Sequence, residues 1–121
     1  MLVDTSIWID HFRAHDATLA ARLDQGDVEC HPFIVGELAC GGLRHRAEIL
    51  ALLQRLPEVP IAGHDEVLTF VERNRLQSSG LGWIDVHLLA SVRLARTTLW
   101  TADRRLRAAA RRLGVGASQP T

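Results

Sequence analysis

Four carboxylates stand where an ionised side chain is hardest to explain as ordinary surface. Asp4 ends the apolar run Met1-Leu2-Val3, and Asp103 follows Leu99-Trp100-Thr101 in the same way. Glu37 has Phe33 and Ile34 one helical turn before it and Cys40 and Gly41 one turn after, while Asp85 shares a helical face with Leu88, Leu89 and Val92. A charged carboxylate turned toward a core is costly unless it is paired or holds a metal. No Arg lies three or four residues from Glu37 or Asp85, so pairing would have to be long-range. If the four acids meet, they repel and some take up protons, unless a cation sits between them. A set of oxygen donors with no His or Cys at metal-ligand spacing favours Mg²⁺ or Mn²⁺ over Zn²⁺. Each acid alone also has a plainer role, and Asp4 in particular could simply cap the helix that follows it.

The elements that would bring them together can be read from the pattern. Residues 1–3 suit a short buried strand turning into a helix at Asp4, with Thr5 and Ser6 capping the apolar run Ile7-Trp8-Ile9 and Phe12. A second helix is expected over 17–23, ended by Gln25-Gly26, then a strand over 28–31 and a helix over 33–40 with Pro32 in its first turn. Helices follow over 44–56, 64–76 and 83–96, with an extended piece at 57–60 and a loop at 78–82. A strand over 98–101, a helix over 103–113 stopped by Gly114 and an edge strand over 115–118 complete the chain. Strands separated by helices predict an α/β fold with a parallel sheet covered on both faces. In such a sheet, ligands bind at the carboxyl ends of the strands, so Asp4, Glu37, Asp85 and Asp103 are expected to converge there.

The chain has 121 residues, 47% of them hydrophobic, and reads as one domain spanning 1–121. No apolar run approaches the length of a membrane span, and the early first strand leaves no room for a signal segment, so a soluble, cytoplasmic protein is expected. Cys30 and Cys40 are too few for a disulfide framework and are read as small buried hydrophobes. The formal net charge is zero, yet residues 1–60 hold nine acids and five Arg while residues 61–121 hold five acids and nine Arg. Every cation among these side chains is Arg, and five fall between Arg104 and Arg112, a weak pointer to phosphate contacts beside the plainer reading of a solvated helix face. The apolar helices between Ile7 and Leu56 offer surface to a partner, though core packing accounts for the same residues.

Four blocks now carry a resemblance: Asp4-Thr5-Ser6-Ile7-Trp8-Ile9-Asp10, Gly36-Glu37-Leu38-Ala39-Cys40-Gly41, Gly82-Trp83-Ile84-Asp85 through Leu88-Leu89-Ala90, and Leu99-Trp100-Thr101-Ala102-Asp103-Arg104-Arg105-Leu106. In their order and spacing they resemble the VapC-type PIN-domain toxins across essentially the whole chain. The resemblance implies an α/β/α sandwich with a central parallel sheet and a metal-dependent endoribonuclease of a toxin–antitoxin pair. It carries the family's acidic tetrad onto Asp4, Glu37, Asp85 and Asp103, with Ser6 and Thr101 in support. It further implies a homodimer, RNA substrates such as transfer or ribosomal RNA, and a small VapB-type antitoxin that wraps the toxin.

On this reading Asp4, Glu37 and Asp85 hold Mg²⁺ or Mn²⁺, directly or through its waters, and Asp103 helps to hold a second ion or orient the attacking water. The products would carry 5′-phosphate and 3′-hydroxyl ends. Ser6 and Thr101 would bond an acid or a metal-bound water, or else cap backbone. Arg104 and Arg105 would grip the RNA backbone, and Trp83 would stack on a base, or else belong to the core or lie as a lid on its helix. Trp8 and Trp100 are assigned to the core or an interface, and His87 to a structural role. A phosphoryl-accepting receiver would want a late Lys, which is absent, and a haloacid-dehalogenase pattern would want an acid where Ser6 stands. A DNA nuclease shares the same chemistry, and a binding or regulatory module with a vestigial acidic cluster is the rival from another class.

Overall fold

The computed structural model describes residues 1–118. Two strands, β1 (Leu2–Val3) and β2 (Leu99–Trp100), pair in parallel with Leu2 opposite Leu99 and Val3 opposite Trp100. Three further parallel bridges widen this ribbon: Leu2 with Glu29, Cys30 with Glu58, and Leu99 with Gly116. The spatial order is therefore residue 58, residues 29–30, β1, β2, residue 116. The chain builds outward from β1 on one side, then returns to build on the other. The order reverses between β1 and β2, which is where an open α/β sheet forms its crevice.

Among the described residues seven helices surround the sheet: α1 (Thr5–Arg13), α2 (Ala17–Asp24), α3 (Pro32–Cys40), α4 (Arg46–Leu53), α5 (His64–Arg73), α6 (Trp83–Ala95) and α7 (Arg104–Arg112). Successive strand residues point to opposite faces, and Leu2, Val3, Leu99 and Trp100 are all buried, so both faces of the sheet are covered. This is the α/β/α arrangement expected. Helix α6 buries seven consecutive residues from Val86 to Val92, so it is enclosed nearly all round and only its ends are wet. That fixes the place of Asp85 at its first turn. Helix α7 instead buries Leu106, Ala109 and Ala110 and turns its Arg outward.

Several boundaries differ from the sequence reading. The strand expected over 28–31 pairs only at residues 29 and 30, because His31 becomes the N-cap of α3, its Nδ1 accepting from the Phe33 amide at 2.9 Å. Helix α4 starts at Arg46 rather than 44, after His45 takes a left-handed φ of 55°. Arg46 reaches back to the Ala39 carbonyl with Nε at 3.1 Å and a second guanidinium nitrogen at 3.0 Å, tying the start of α4 to the end of α3. Helix α5 stops at Arg73 rather than 76, where Arg75 is left-handed and the Leu76 amide closes on the Val71 carbonyl. Trp8 and Trp100 are core as expected, but Cys40 is exposed at the end of α3 and is not a buried hydrophobe. No helix among the described residues is long and apolar enough to cross a membrane.

Candidate functional site

Asp4 leaves β1 and Thr101 leaves β2, so the two emerge side by side at the crevice. Asp4 occupies the N-cap position of α1, yet its side chain makes no capping bond. Instead Oδ2 accepts from the Ser6 hydroxyl at 2.9 Å and the Thr101 hydroxyl at 2.7 Å. Each hydroxyl has one proton to give. The two hydroxyl oxygens also lie 3.3 Å apart, but with both protons aimed at Asp4 neither is left for the other. In turn Ser6 Oγ accepts from the Ala102 amide at 3.0 Å and Thr101 Oγ1 from the Asp103 amide at 3.0 Å. The alternatives posed for Ser6 and Thr101, supporting an acid or capping backbone, are thus both realised in the same atoms. The amide dipoles at the end of β2 polarise both hydroxyls toward Asp4, which is only 7% exposed. Neither hydroxyl bond takes up Oδ1.

Glu37 and Asp85 flank this centre. Glu37 is exposed on α3 rather than turned into the core, and its Oε1 accepts from the Thr5 hydroxyl at 3.0 Å, which ties α1 to α3. The sequence reading gave Thr5 only a capping role and missed this bond; its place beside Asp4 and Ser6 was the signal. Asp85 is half-buried and its Oδ2 accepts from the Gly82 amide at 3.1 Å, so it also closes the start of α6. Partial burial raises the Glu37 carboxyl; the Thr5 bond opposes this, while the charges of Asp4 and Asp85 add to it. Burial likewise raises Asp85, against the Gly82 bond and with the charges of Asp4 and Asp103 adding. Asp103 is exposed and caps α7, Oδ1 accepting from the Leu106 amide at 3.0 Å.

The expected convergence is therefore a ring of mutual repulsion rather than a closed cage. Among the described residues no three His, Cys, Asp or Glu side chains stand close enough to hold an ion between them. None of the four acids is ion-paired either; among the described residues the pairs are the Met1 ammonium with Glu29 and Arg22 with Asp27. The supposed core acids Glu37 and Asp103 are surface residues because the carboxyl edge of the sheet is an open mouth, and the sequence period shows a face without showing what covers it.

Trp83 begins α6 and is 41% exposed, its ring held by His64 at 5.2 Å and by His87 at 4.8 Å, centroid to centroid. His87 is buried, and its Nδ1 has no hydrogen-bond partner among the described residues. Of the Arg cluster, Arg107 donates to the Thr101 carbonyl and Arg112 to the Asn74 carbonyl. Arg104 and Arg105 are exposed at the start of α7, and Arg105 packs across Gly80 so closely that a Cβ there would stand 2.6 Å from its guanidinium.

A parallel sheet with covered faces, whose switch point carries Asp4 and is flanked by further acids, defines an α/β domain with an acidic crevice. Residues 1–112 match the PIN domain family, and this chain belongs to it. It is similar to Ribonuclease VapC32 of Mycobacterium tuberculosis, from strain CDC 1551 / Oshkosh and from strain ATCC 25618 / H37Rv. Each is 46% identical over 120 residues, covering 98% of this chain and 97% of the relative. The resemblance read from the four sequence blocks is thereby borne out as a VapC-type PIN domain.

Proposed function

We propose that this chain is a Mg²⁺- or Mn²⁺-dependent endoribonuclease, the toxin of a toxin–antitoxin pair, acting as a single domain in the cytoplasm through Asp4, Glu37, Asp85 and Asp103. The observation that carries the reading is Asp4, held by two polarised hydroxyls at the switch point and faced by two carboxyls raised by burial and then by neighbouring acids, with no Arg ion-paired to any of them among the described residues. The relatives' printed name, ribonuclease, supports the activity.

The donor set is entirely oxygen and lacks an internal counter-charge, which fits a hard divalent cation that keeps some of its waters. Asp4, Glu37 and Asp85 would hold it in part through those waters, since no three of the described acids stand close enough to enclose it directly. When bound, such a cation lowers the pKa of a water and offsets charge developing at the phosphoryl oxygens. The chain's own residues do the positioning. Ser6 and Thr101 fix the rotamer of Asp4, Thr5 steadies Glu37, and the Gly82 amide steadies Asp85. Asp103, whose amide donates to Thr101 Oγ1, would orient an attacking water or a second ion. Arg104 and Arg105 lie beside it for backbone phosphates, which would give salt-sensitive binding with little sequence information. Hydrolysis by water leaves a 5′-phosphate and a 3′-hydroxyl, and structured transfer or ribosomal RNA is the substrate class the family favours.

A VapB-type antitoxin has an apolar seat available. A slot of about 240 Å³ lies among Trp8, Phe12, Leu23, Ile49, Leu52 and Leu56, whose apolar walls would suit an apolar segment of such a partner. A homodimer is the assembly proposed for the toxin.

The decisive experiment incubates partner-free protein with total cellular RNA in Mg²⁺ or Mn²⁺, with and without EDTA, beside Asp4→Asn, and maps new ends by sequencing. Discrete metal-dependent cuts with 5′-phosphates, absent from the variant, are expected. Folded protein that neither cuts nor binds Mn²⁺ by calorimetry would instead be a binding module.

A further inference from the structure

An apolar groove of about 580 Å³ runs between α3 and the start of α6, walled by Phe33, Cys40, Trp83 and Ile84, with Gly36 on its floor and Glu37 on its rim. It shares Glu37 with the acidic crevice, where that carboxylate feels the charges of Asp4 and Asp85. Two features of it have no explanation within the chain. Trp83 is a large exposed aromatic that is nevertheless held in place, with His64 on one side and His87 meeting it nearly perpendicular at 87°, and Phe33 packed in turn on His87 at 4.9 Å. Gly36 sits inside a helix, where glycine is less favourable than alanine, yet its φ is not left-handed and a Cβ would meet no atom within 4 Å. Neither backbone nor internal packing requires glycine there. What a side chain at 36 would occupy is the groove itself.

We propose that this groove seats a nucleobase of the RNA next to the scissile phosphate, with Trp83 as its stacking wall and Gly36 keeping its floor open. The occupant follows from the surroundings. A ligand engaged at Asp4 reaches the groove past Glu37, so the group entering it belongs to the same molecule. The walls are apolar and one carboxylate lines the rim, which excludes a phosphate and suits an uncharged planar ring. Base stacking on a fixed aromatic is tolerant of sequence and needs little ordering, because His64 and His87 already hold the indole. Single-stranded loops, whose bases are free to splay, are the RNA elements that could enter. The proposal rests on the nuclease reading for its position beside the reaction, but its test does not depend on cleavage.

Trp8 and Trp100 are buried, so quenching of intrinsic fluorescence by a ligand reports on Trp83. Partner-free protein is titrated in EDTA with a short single-stranded RNA and with an abasic ribose-phosphate oligomer of equal length, and cleavage of total RNA is measured separately in Mg²⁺. The RNA quenches and the abasic oligomer does not. Trp83→Leu abolishes the quench and raises KM about tenfold with kcat within about twofold. Gly36→Leu fills the floor, raises KM similarly and melts no lower than the native protein, a combination that damage to the fold could not produce. Equal binding of the abasic oligomer, or unchanged KM in both variants, overturns the base seat while leaving the nuclease intact. A native protein that is quenched by RNA but cuts nothing keeps the seat and overturns the nuclease.

Discussion

Thr101 sits at the junction of everything the crevice does, since one hydroxyl donates to Asp4 at 2.7 Å and accepts from the Asp103 amide at 3.0 Å. Removing it leaves a buried carboxylate with one donor fewer and an amide without its acceptor. Partners that orient a reacting or ligating group are commonly worth tenfold to a hundredfold in activity. Thr101→Val, which keeps the shape, is therefore expected to lower kcat by about that range with KM little changed, and Thr101→Ser to restore most of it. Loss of the buried bond should also cost about 1–3 kcal/mol in unfolding free energy. Native kcat in Thr101→Val would reduce the hydroxyl to a packing role. Ser6 makes the same kind of bond from the helix side, so Ser6→Ala should fall in the same direction.

At the level of elements, His31 has a similar double engagement that the sequence concealed. It is fully buried, Nδ1 accepting from the Phe33 amide at 2.9 Å and Nε2 bonded to the Ser91 hydroxyl at 3.1 Å, so it caps α3 and locks that helix to α6. With Nδ1 as acceptor, the neutral ring carries its proton on Nε2. Burial pushes its pKa down to about 4, with the nearby His87 adding to the effect. The folded state thus excludes a proton that the unfolded chain binds below about 6.5, so stability drops as pH falls from there toward 4, by roughly 3 kcal/mol at most. His31→Asn, which can still cap, should flatten that slope when unfolding is followed from neutral pH to about pH 4.5. Parallel curves would remove His31 from the account. Next to Pro32, an expected first-turn residue, His31 looked like the end of a strand; the tertiary bond to Ser91 was invisible. The same limit explains the helix ends. Gly26 and Gly114 announced theirs, while Arg75 and Arg96 take the left-handed closing position with no glycine to signal it. Asp4 and Asp103 were legible because strand ends can be read locally, and Glu37 and Asp85 because helical spacing can. Their exposure was not, because nothing in Phe33, Ile34 or Cys40 says that the mouth beyond Glu37 stays open.

Across the whole molecule, these acids place the crevice in tension with the fold. Glu37 and Asp85 hold their protons more tightly when folded than when unfolded, through burial and through the charges of Asp4 and, for Asp85, Asp103. The folded state therefore binds more protons across and just above the ordinary carboxylate range, and stability without metal falls as pH rises through it. This trend runs opposite to that of His31. A divalent cation bound there, as proposed, would reverse the cost at neutral pH, since at a hundredfold excess over its Kd it would add about 2.7 kcal/mol. For a domain of this size that is a rise in Tm of about 10 °C. The double variant Glu37→Gln/Asp85→Asn should melt higher than the native protein in EDTA, show a flatter alkaline fall, and gain nothing from Mn²⁺. Calorimetric melts at about pH 5 and 7.5, with Mn²⁺ and with EDTA, test all three. A native Tm indifferent to Mn²⁺, together with a double variant no more stable in EDTA, would mean that these carboxylates neither strain the crevice nor hold a cation, and the fold would be carrying them for some other partner.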